Sequence, residues 1–174
     1  MVRLMRDRLS ARSLFGLAVA LVVAAMAAAL YLQYVVGLVP CPLCVIQRMA
    51  VISAAVFALL AALAGYRSIP RLALGVFAIA CAVAGGAVAA WHAWLLAHPP
   101  ESLGCGRPFE WFSDDFPLVT WLPKLFRGDG DCLAVDWTFL GLGVPHLSAL
   151  TFLALLTLLV TGTVRAYRDR KQEA

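Results

Sequence analysis

The chain has 174 residues, of which 63% are hydrophobic and 14% charged, and its formal net charge is +4. Soluble domains carry roughly 25% charged residues, and a chain this short has too much surface to hide such a shortfall in a core. A freely soluble globular domain is excluded, and much of the surface is expected to meet lipid.

The uncharged runs place the elements. No charged residue occurs from Ser13 to Gln47, from Met49 to Tyr66, from Leu72 to Pro100 or from Thr138 to Val164. A bilayer-spanning helix needs about 20 mainly apolar residues. The first span is expected near Leu14–Tyr34. A cleaved signal peptide has an apolar stretch of only about 7–15 residues, shorter than this run. The second span is expected near Leu43–Ala64, with Arg48 close to the surface, where a long basic side chain can snorkel. The third is expected near Arg71–Trp91 and the fourth near Val144–Val164. In the third, Ala84, Gly85, Gly86, Ala87, Ala89 and Ala90 are small enough for close helix packing.

Charge sets the orientation. Arg3, Arg6, Arg8 and Arg12 precede the first span, Arg67 and Arg71 join the second to the third, and Arg165, Arg168, Arg170 and Lys171 follow the fourth. Arg48, Arg107, Lys124 and Arg127 are the other basic residues, on a side that also holds seven acidic ones from Glu101 to Asp136. By the positive-inside rule both termini are cytoplasmic. The basic tails are explained by topology, and no basic, aromatic-interleaved patch exists for nucleic acid. The expectation is one all-α, four-helix transmembrane bundle with outer loops at about 35–42 and 92–143.

The second outer loop is far longer than a usual helix connector, which points to function. Pro99, Pro100, Pro108, Pro117 and Pro123 interrupt long helices there. Between Trp111 and Phe126 lies an aromatic, apolar cluster, read as a short segment on the membrane surface or a small loop core.

Cys41 and Cys44 form a Cys-Pro-Leu-Cys motif in the first outer loop, Cys105 and Cys132 lie in the second, and Cys81 falls inside the third span. Four cysteines thus share one oxidising side, where disulfides persist. Of the three possible pairings, Cys41–Cys44 with Cys105–Cys132 demands least of the chain. Cys44 sits at the expected start of a helix, where thiolates are stabilised by the helix dipole and by Cys-X-X-Cys geometry. Arg48, four residues on, falls on the same helix face one turn deeper. It would stabilise the Cys44 thiolate or a reduced ligand beside it, or else anchor the helix end to headgroups. Glycines flank Cys105 and Cys132, which suits either an exposed, labile disulfide or a staple closing the loop.

Metal chemistry is not expected. Structural zinc sites usually show a second closely spaced cysteine pair, absent here. Asp129-Gly130-Asp131 lacks the calcium-loop pattern. Cys81 reads as an inert buried thiol. His92 lies near the depth of Arg48 and could donate a hydrogen bond or proton to a ligand, while His98 and His146 carry no argument. No paired intramembrane histidines suggest haem.

The order of these features resembles a known family. A basic tail and a first span lead to Pro40-Cys41-Pro42-Leu43-Cys44 with Arg48 four residues later. Two further spans then lead to a long loop with Cys105 and Cys132, and to a last span. With Trp121-Leu122-Pro123, Gly130-Asp131-Cys132, Trp137, Phe139-Leu140-Gly141-Leu142 and Pro145, the pattern is similar to DsbB, the disulfide bond formation protein B family of bacterial inner membranes. The resemblance covers nearly the whole chain. It implies a multi-pass inner-membrane thiol oxidase with its active site on the periplasmic side. Such an enzyme reoxidises a DsbA-like thioredoxin-fold oxidase and reduces a membrane quinone, ubiquinone or menaquinone.

By the same resemblance, Cys105 of the Cys105–Cys132 disulfide would form the mixed disulfide with the partner, whose groove receives the loop around Leu103–Phe109. Cys132 would then attack Cys41, freeing Cys44 to face the quinone, with Arg48, His92 and Gln47 around it. Some family members carry an acidic residue at position 47, so a charged proton acceptor is not expected at Gln47. Two other readings are weighed. An outward electron conduit of the DsbD type needs cysteines reachable from the cytoplasmic face. A structural, disulfide-bonded four-span protein predicts no exchange at Cys105.

Overall fold

The computed structural model describes residues 10–64, 69–99, 128, 130–133 and 137–172. Four long helices dominate: α1 (Ala11–Tyr34), α2 (Pro42–Leu63), α3 (Ile69–Ala97) and α4 (Val144–Lys171). All four are long and apolar enough to cross a membrane. Only 22–33% of each apolar stretch is buried within the protein, so the rest needs lipid around it.

Local chemistry sets each helix start. Ser10 caps α1, its side chain accepting from the Ser13 amide at 3.2 Å. Pro42 opens α2 at a position where its missing N–H costs nothing, with Cys41 as the capping residue. Gly143 precedes α4, which ends with Arg168, Arg170 and Lys171 against the negative end of its dipole.

Two helices run well past the expected ends of their spans. α3 continues six residues past Trp91 to Ala97, and α4 seven residues past Val164 to Lys171. A change of polarity ends a membrane span, but it does not end a helix. In α3 nothing breaks the backbone pattern until Pro99 and Pro100. The exposed end of α3 stacks Trp91 on Trp94 and Trp94 on His98, each pair with ring centroids 5.0 Å apart.

Each helix packs on its neighbours in the chain, and α4 closes the ring against α1. The seam is built from small residues. Ala54, Ala58 and Ala61 of α2 and Ala78, Ala82 and Ala89 of α3 are fully buried at helical spacing. Gly85 belongs to this set, because a Cβ there would strike the Phe152 ring of α4. Leu17, Val23, Leu59, Phe77 and Leu153 face outward, as a lipid-facing surface requires.

At one end of the bundle, basic side chains cap α2. Arg71 is buried, and its guanidinium donates to the carbonyls of Ala61 and Ala64. Arg12 donates to the carbonyl of Ala62 at 3.0 Å. These carbonyls belong to the last turn, which has no partners within its own helix. α2 has no basic residue in its own last turn, and α1 and α3 supply the charge instead.

At the other end a two-residue hairpin pairs Thr138–Phe139 (β1) with Leu142–Gly143 (β2). Leu140 and Gly141 both have positive φ, 53° and 80°, as the tight turn matching the twist of two strands requires. Cys105 and the aromatic segment expected on the membrane surface lie outside the described residues.

Candidate functional site

The start of α2 presents the first cysteine pair. Cys41 sits just before the helix, and its sulfur accepts a hydrogen bond from the Cys44 amide at 3.3 Å. A sulfur thus does what a serine or aspartate oxygen does at most helix starts. The two sulfurs lie 2.7 Å apart, within reach of a bond. Cys41 is buried, whereas Cys44 is half-buried.

The segment around Cys132 folds onto this pair. The Gly130 amide donates to the Pro40 carbonyl at 3.0 Å. Any side chain at Gly130 would collide with the Val39 carbonyl, so glycine is needed here for close approach. The Asp131 carboxylate accepts from the Leu133 amide at 2.9 Å and closes the turn that holds Cys132. Cys132 is buried, and it packs with Cys41 and Leu43. Hydrogen bonds with Cys132 and with Cys44, reinforced by burial, push the Cys41 thiol well above the ordinary thiol range.

α3 contributes His92, which is buried. Its Nε2 lies 2.9 Å from the Cys132 carbonyl, and a carbonyl only accepts, so Nε2 carries the proton. Its Nδ1 faces Gln47 Nε2 at 3.4 Å. The Ser148 hydroxyl of α4 donates to Gln47 Oε1 at 2.6 Å. A polar chain therefore runs from α4 through α2 and α3 to the backbone of Cys132. His92 also contacts the Cys44 sulfur.

One turn below Cys44, Arg48 is buried and donates from Nη1 to Gln33 Oε1 of α1 at 2.7 Å. These groups meet at a cavity of about 590 Å³. Its walls are mostly apolar, with Met26, Leu32, Val51 and Phe152 among them. Its polar groups include Cys44, Gln47, Arg48, His92 and Ser148. An apolar cavity with a few convergent polar groups is the usual form of a small-molecule site.

Six residues singled out from the sequence, Cys41, Cys44, Gln47, Arg48, His92 and Cys132, line this one cavity. Cys81 is not among its lining residues and packs against the helix core. Cys105 is outside the described residues. Sequence reasoning missed Gln33 and Ser148. The available signal was a lone polar residue within an uncharged run, which is costly in lipid unless it has a partner.

Comparison with known proteins identifies the family. The profile of the family described as "Disulfide bond formation protein DsbB" matches residues 11–162. A "Disulfide bond formation protein B" of Acidovorax sp. (strain JS42) is 43% identical over 157 residues, covering 90% of each chain. One from Verminephrobacter eiseniae (strain EF01-2) is 45% identical over 154 residues, covering 87% of this chain and 85% of the relative. A third, from Azoarcus sp. (strain BH72), is 44% identical over 152 residues, covering 87% and 90%. With a match across most of its length and relatives at this identity, the chain belongs to the disulfide bond formation protein DsbB family.

Proposed function

We propose that this protein is a membrane disulfide-forming oxidoreductase that reoxidises a periplasmic DsbA-like dithiol and passes the electrons to a membrane quinone. Family membership supports the oxidase activity. The observation that carries the route is the position of Cys132 against Cys41, with Cys44 on the wall of an apolar cavity. The basic helix ends point inward and the cysteine end outward by the positive-inside rule, in a bacterial inner membrane.

Electrons enter at the second loop. A partner thiolate attacks Cys105 of a Cys105–Cys132 disulfide, forming a mixed disulfide and releasing the Cys132 thiolate. The partner's second thiol then resolves the mixed disulfide, leaving Cys105 reduced and the partner oxidised. Cys132 attacks Cys41 of the Cys41–Cys44 disulfide, forming Cys41–Cys132 and releasing Cys44 as a thiolate. Cys105 closes the cycle on Cys132, restoring the loop disulfide and leaving Cys41 and Cys44 reduced. Each step makes one S–S bond and breaks one, so two electrons move inward per partner oxidised.

The cavity fits a quinone. Its walls suit a ring and an isoprenoid tail, and Arg48, Gln47, His92 and Ser148 offer donors for carbonyl oxygens. When bound, a quinone supplies an acceptor for two electrons and two protons. Arg48 brings a fixed positive charge to that polar end, held in place by Gln33. His92 holds the Cys132 backbone and is placed to carry a proton between the thiols and the cavity. Gln47 positions His92 and is not itself a proton acceptor.

An outward electron conduit would need cysteines at the opposite end of the bundle. Among the described residues Cys81 is the only cysteine away from the site, and it lies midway along α3. The test replaces single cysteines with serine and follows dithiol-driven quinone reduction. Cys44→Ser should abolish it and Cys81→Ser should leave it intact. Full activity without Cys44 would refute the route.

A further inference from the structure

Along the chain, no second close cysteine pair accompanies Cys41 and Cys44 to complete a metal site. The fold supplies the missing ligands from elsewhere. His92 arrives from α3, and one ring nitrogen of it lies with the sulfurs of Cys41 and Cys44 in a group whose members are all within 4.8 Å of one another. Cys132 arrives from the second loop and packs against Cys41. Two sulfurs and one imidazole therefore meet at one point, and the third cysteine, outside that group, packs against Cys41 from another part of the chain.

We propose that the fully reduced protein binds one zinc ion at Cys41, Cys44, Cys132 and His92. Three cysteines and a histidine form a closed tetrahedral zinc set. With Zn–S bonds of about 2.3 Å, neighbouring sulfurs in such a site stand about 3.8 Å apart. The spacing of Cys41, Cys44 and His92 brackets that edge, so Cys44 swings out from its 2.7 Å approach to Cys41 and the Cys132 sulfur closes in from beside Cys41.

The support around the ligands is already in place. A zinc-binding histidine nearly always donates its second N–H to a carbonyl or carboxylate, which fixes the ring and its tautomer. His92 donates Nε2–H to the Cys132 carbonyl at 2.9 Å. That leaves the Nδ1 lone pair for the ion, at the expense only of the long 3.4 Å contact with Gln47. The same bond ties the backbone of one sulfur ligand to the imidazole of another. The closing of α2 on Cys41 and the docking of Gly130 on Pro40 fix the remaining two sulfurs.

Binding is chemically balanced. Each of the three thiols gives its proton to solvent as its sulfur binds Zn²⁺, and no electrons move. The site exists only while all three sulfurs are reduced, because a sulfur in a disulfide is no longer a thiolate ligand. A bound ion in turn keeps the sulfurs from forming disulfides. Zinc and oxidation compete for the same atoms, and a periplasmic zinc ion would hold the enzyme reduced and idle until withdrawn.

The test uses the full chain in detergent and needs neither quinone nor a partner protein. The protein is reduced with a phosphine, mixed with zinc chloride, passed through a sizing column and assayed for metal. The reduced wild type should retain about one zinc per chain and the oxidised wild type none. Cys81→Ser should bind as the wild type does. Cys44→Ser and His92→Ala should each weaken retention at least tenfold, with folding of both checked by circular dichroism. Cobalt(II) on the reduced wild type, which needs no variant, should give the thiolate charge-transfer and tetrahedral bands of a sulfur-rich site. Absence of metal from the reduced wild type, equal retention by the oxidised form, or unchanged affinity in folded Cys44→Ser and His92→Ala protein would overturn the proposal.

Discussion

The His92 imidazole donates from Nε2 to the Cys132 carbonyl at 2.9 Å, tying a transmembrane helix to the long loop before α4 beside the first cysteine pair. Both residues are buried, so the bond is shielded from water. Through it the loop cysteine is held against the sulfur it is proposed to attack. Removing a buried hydrogen-bond partner costs about 1–3 kcal/mol. His92→Ala is therefore expected to slow formation of the Cys41–Cys132 disulfide by about ten- to a hundredfold. Rapid acid quench followed by mass mapping of disulfides measures this rate, and an unchanged rate would show that the latch is dispensable.

Gln33 holds Arg48 in the cavity through a 2.7 Å bond to a charged group. Such bonds contribute about 1.5–3 kcal/mol. Gln33→Leu keeps the volume and removes the acceptor. It is expected to raise the KM for quinone roughly tenfold or more, while the rate of exchange between partner and loop disulfide stays the same. Separate steady-state titrations of quinone and of dithiol partner check the split.

Gly130 lets the Cys132 segment lie on Pro40, and a Cβ there meets the Val39 carbonyl. Overpacking of this kind costs about 1–3 kcal/mol. Gly130→Ala should lower the yield of the trapped Cys41–Cys132 disulfide severalfold in a Cys44→Ser background, with helix content unchanged. Trapping at the wild-type level would contradict the close-approach argument.

Much of this architecture was legible in the sequence, for identifiable reasons. Four uncharged runs reported four helices, because lipid tolerates few charges. The start of α2 was readable to within a residue, Leu43 expected against Pro42 found, from the length a span needs, and the shared face of Cys44 and Arg48 from helical periodicity. The partners of Arg48 and Gln47 were not readable. Gln33 and Ser148 lie 15 and 101 residues from the side chains they bond, and a polar residue in an uncharged run shows that a partner is needed without showing which one. The hairpin was missed as well, because its turn is Leu140-Gly141 rather than the usual Asn-Gly. Glycine near Cys132 reads from the sequence as suiting a labile disulfide or a loop staple, whereas Gly130 serves close packing.

The Cys41 thiol is pushed above the ordinary thiol range by its bonds to Cys132 and Cys44 and by burial. A folded-state value above the unfolded one means that the reduced protein keeps the associated stability at neutral pH. It loses that stability as pH rises past the unfolded thiol value of about 8.5 and toward the folded one. Thermal midpoints of the reduced protein should fall from pH 8 to pH 10, and Cys41→Ser should flatten the decline. Cys41 should also alkylate more slowly than Cys44 in the folded, reduced protein. A pH-independent midpoint would contradict this reading.

Arg71 carries a different expectation, because it serves the fold at the end far from the cysteines. Its guanidinium bonds two carbonyls at the end of α2 while buried. Arg71→Met should lower the thermal midpoint by several degrees, as loss of about 2–4 kcal/mol would. Exchange among the cysteines in the protein that remains folded should be unaffected. Thermal unfolding in detergent, paired with a disulfide-exchange assay below the midpoint, measures both.

The central claim is that thiol electrons leave through this cavity to a membrane quinone. The most direct measurement mixes the purified protein, without oxygen, with a reduced DsbA-like dithiol partner and ubiquinone, and follows quinone absorbance. The account predicts one quinone reduced for each partner dithiol oxidised, abolished by Cys44→Ser. Partner oxidation with neither ubiquinone nor menaquinone consumed, by protein shown to be folded, would contradict it.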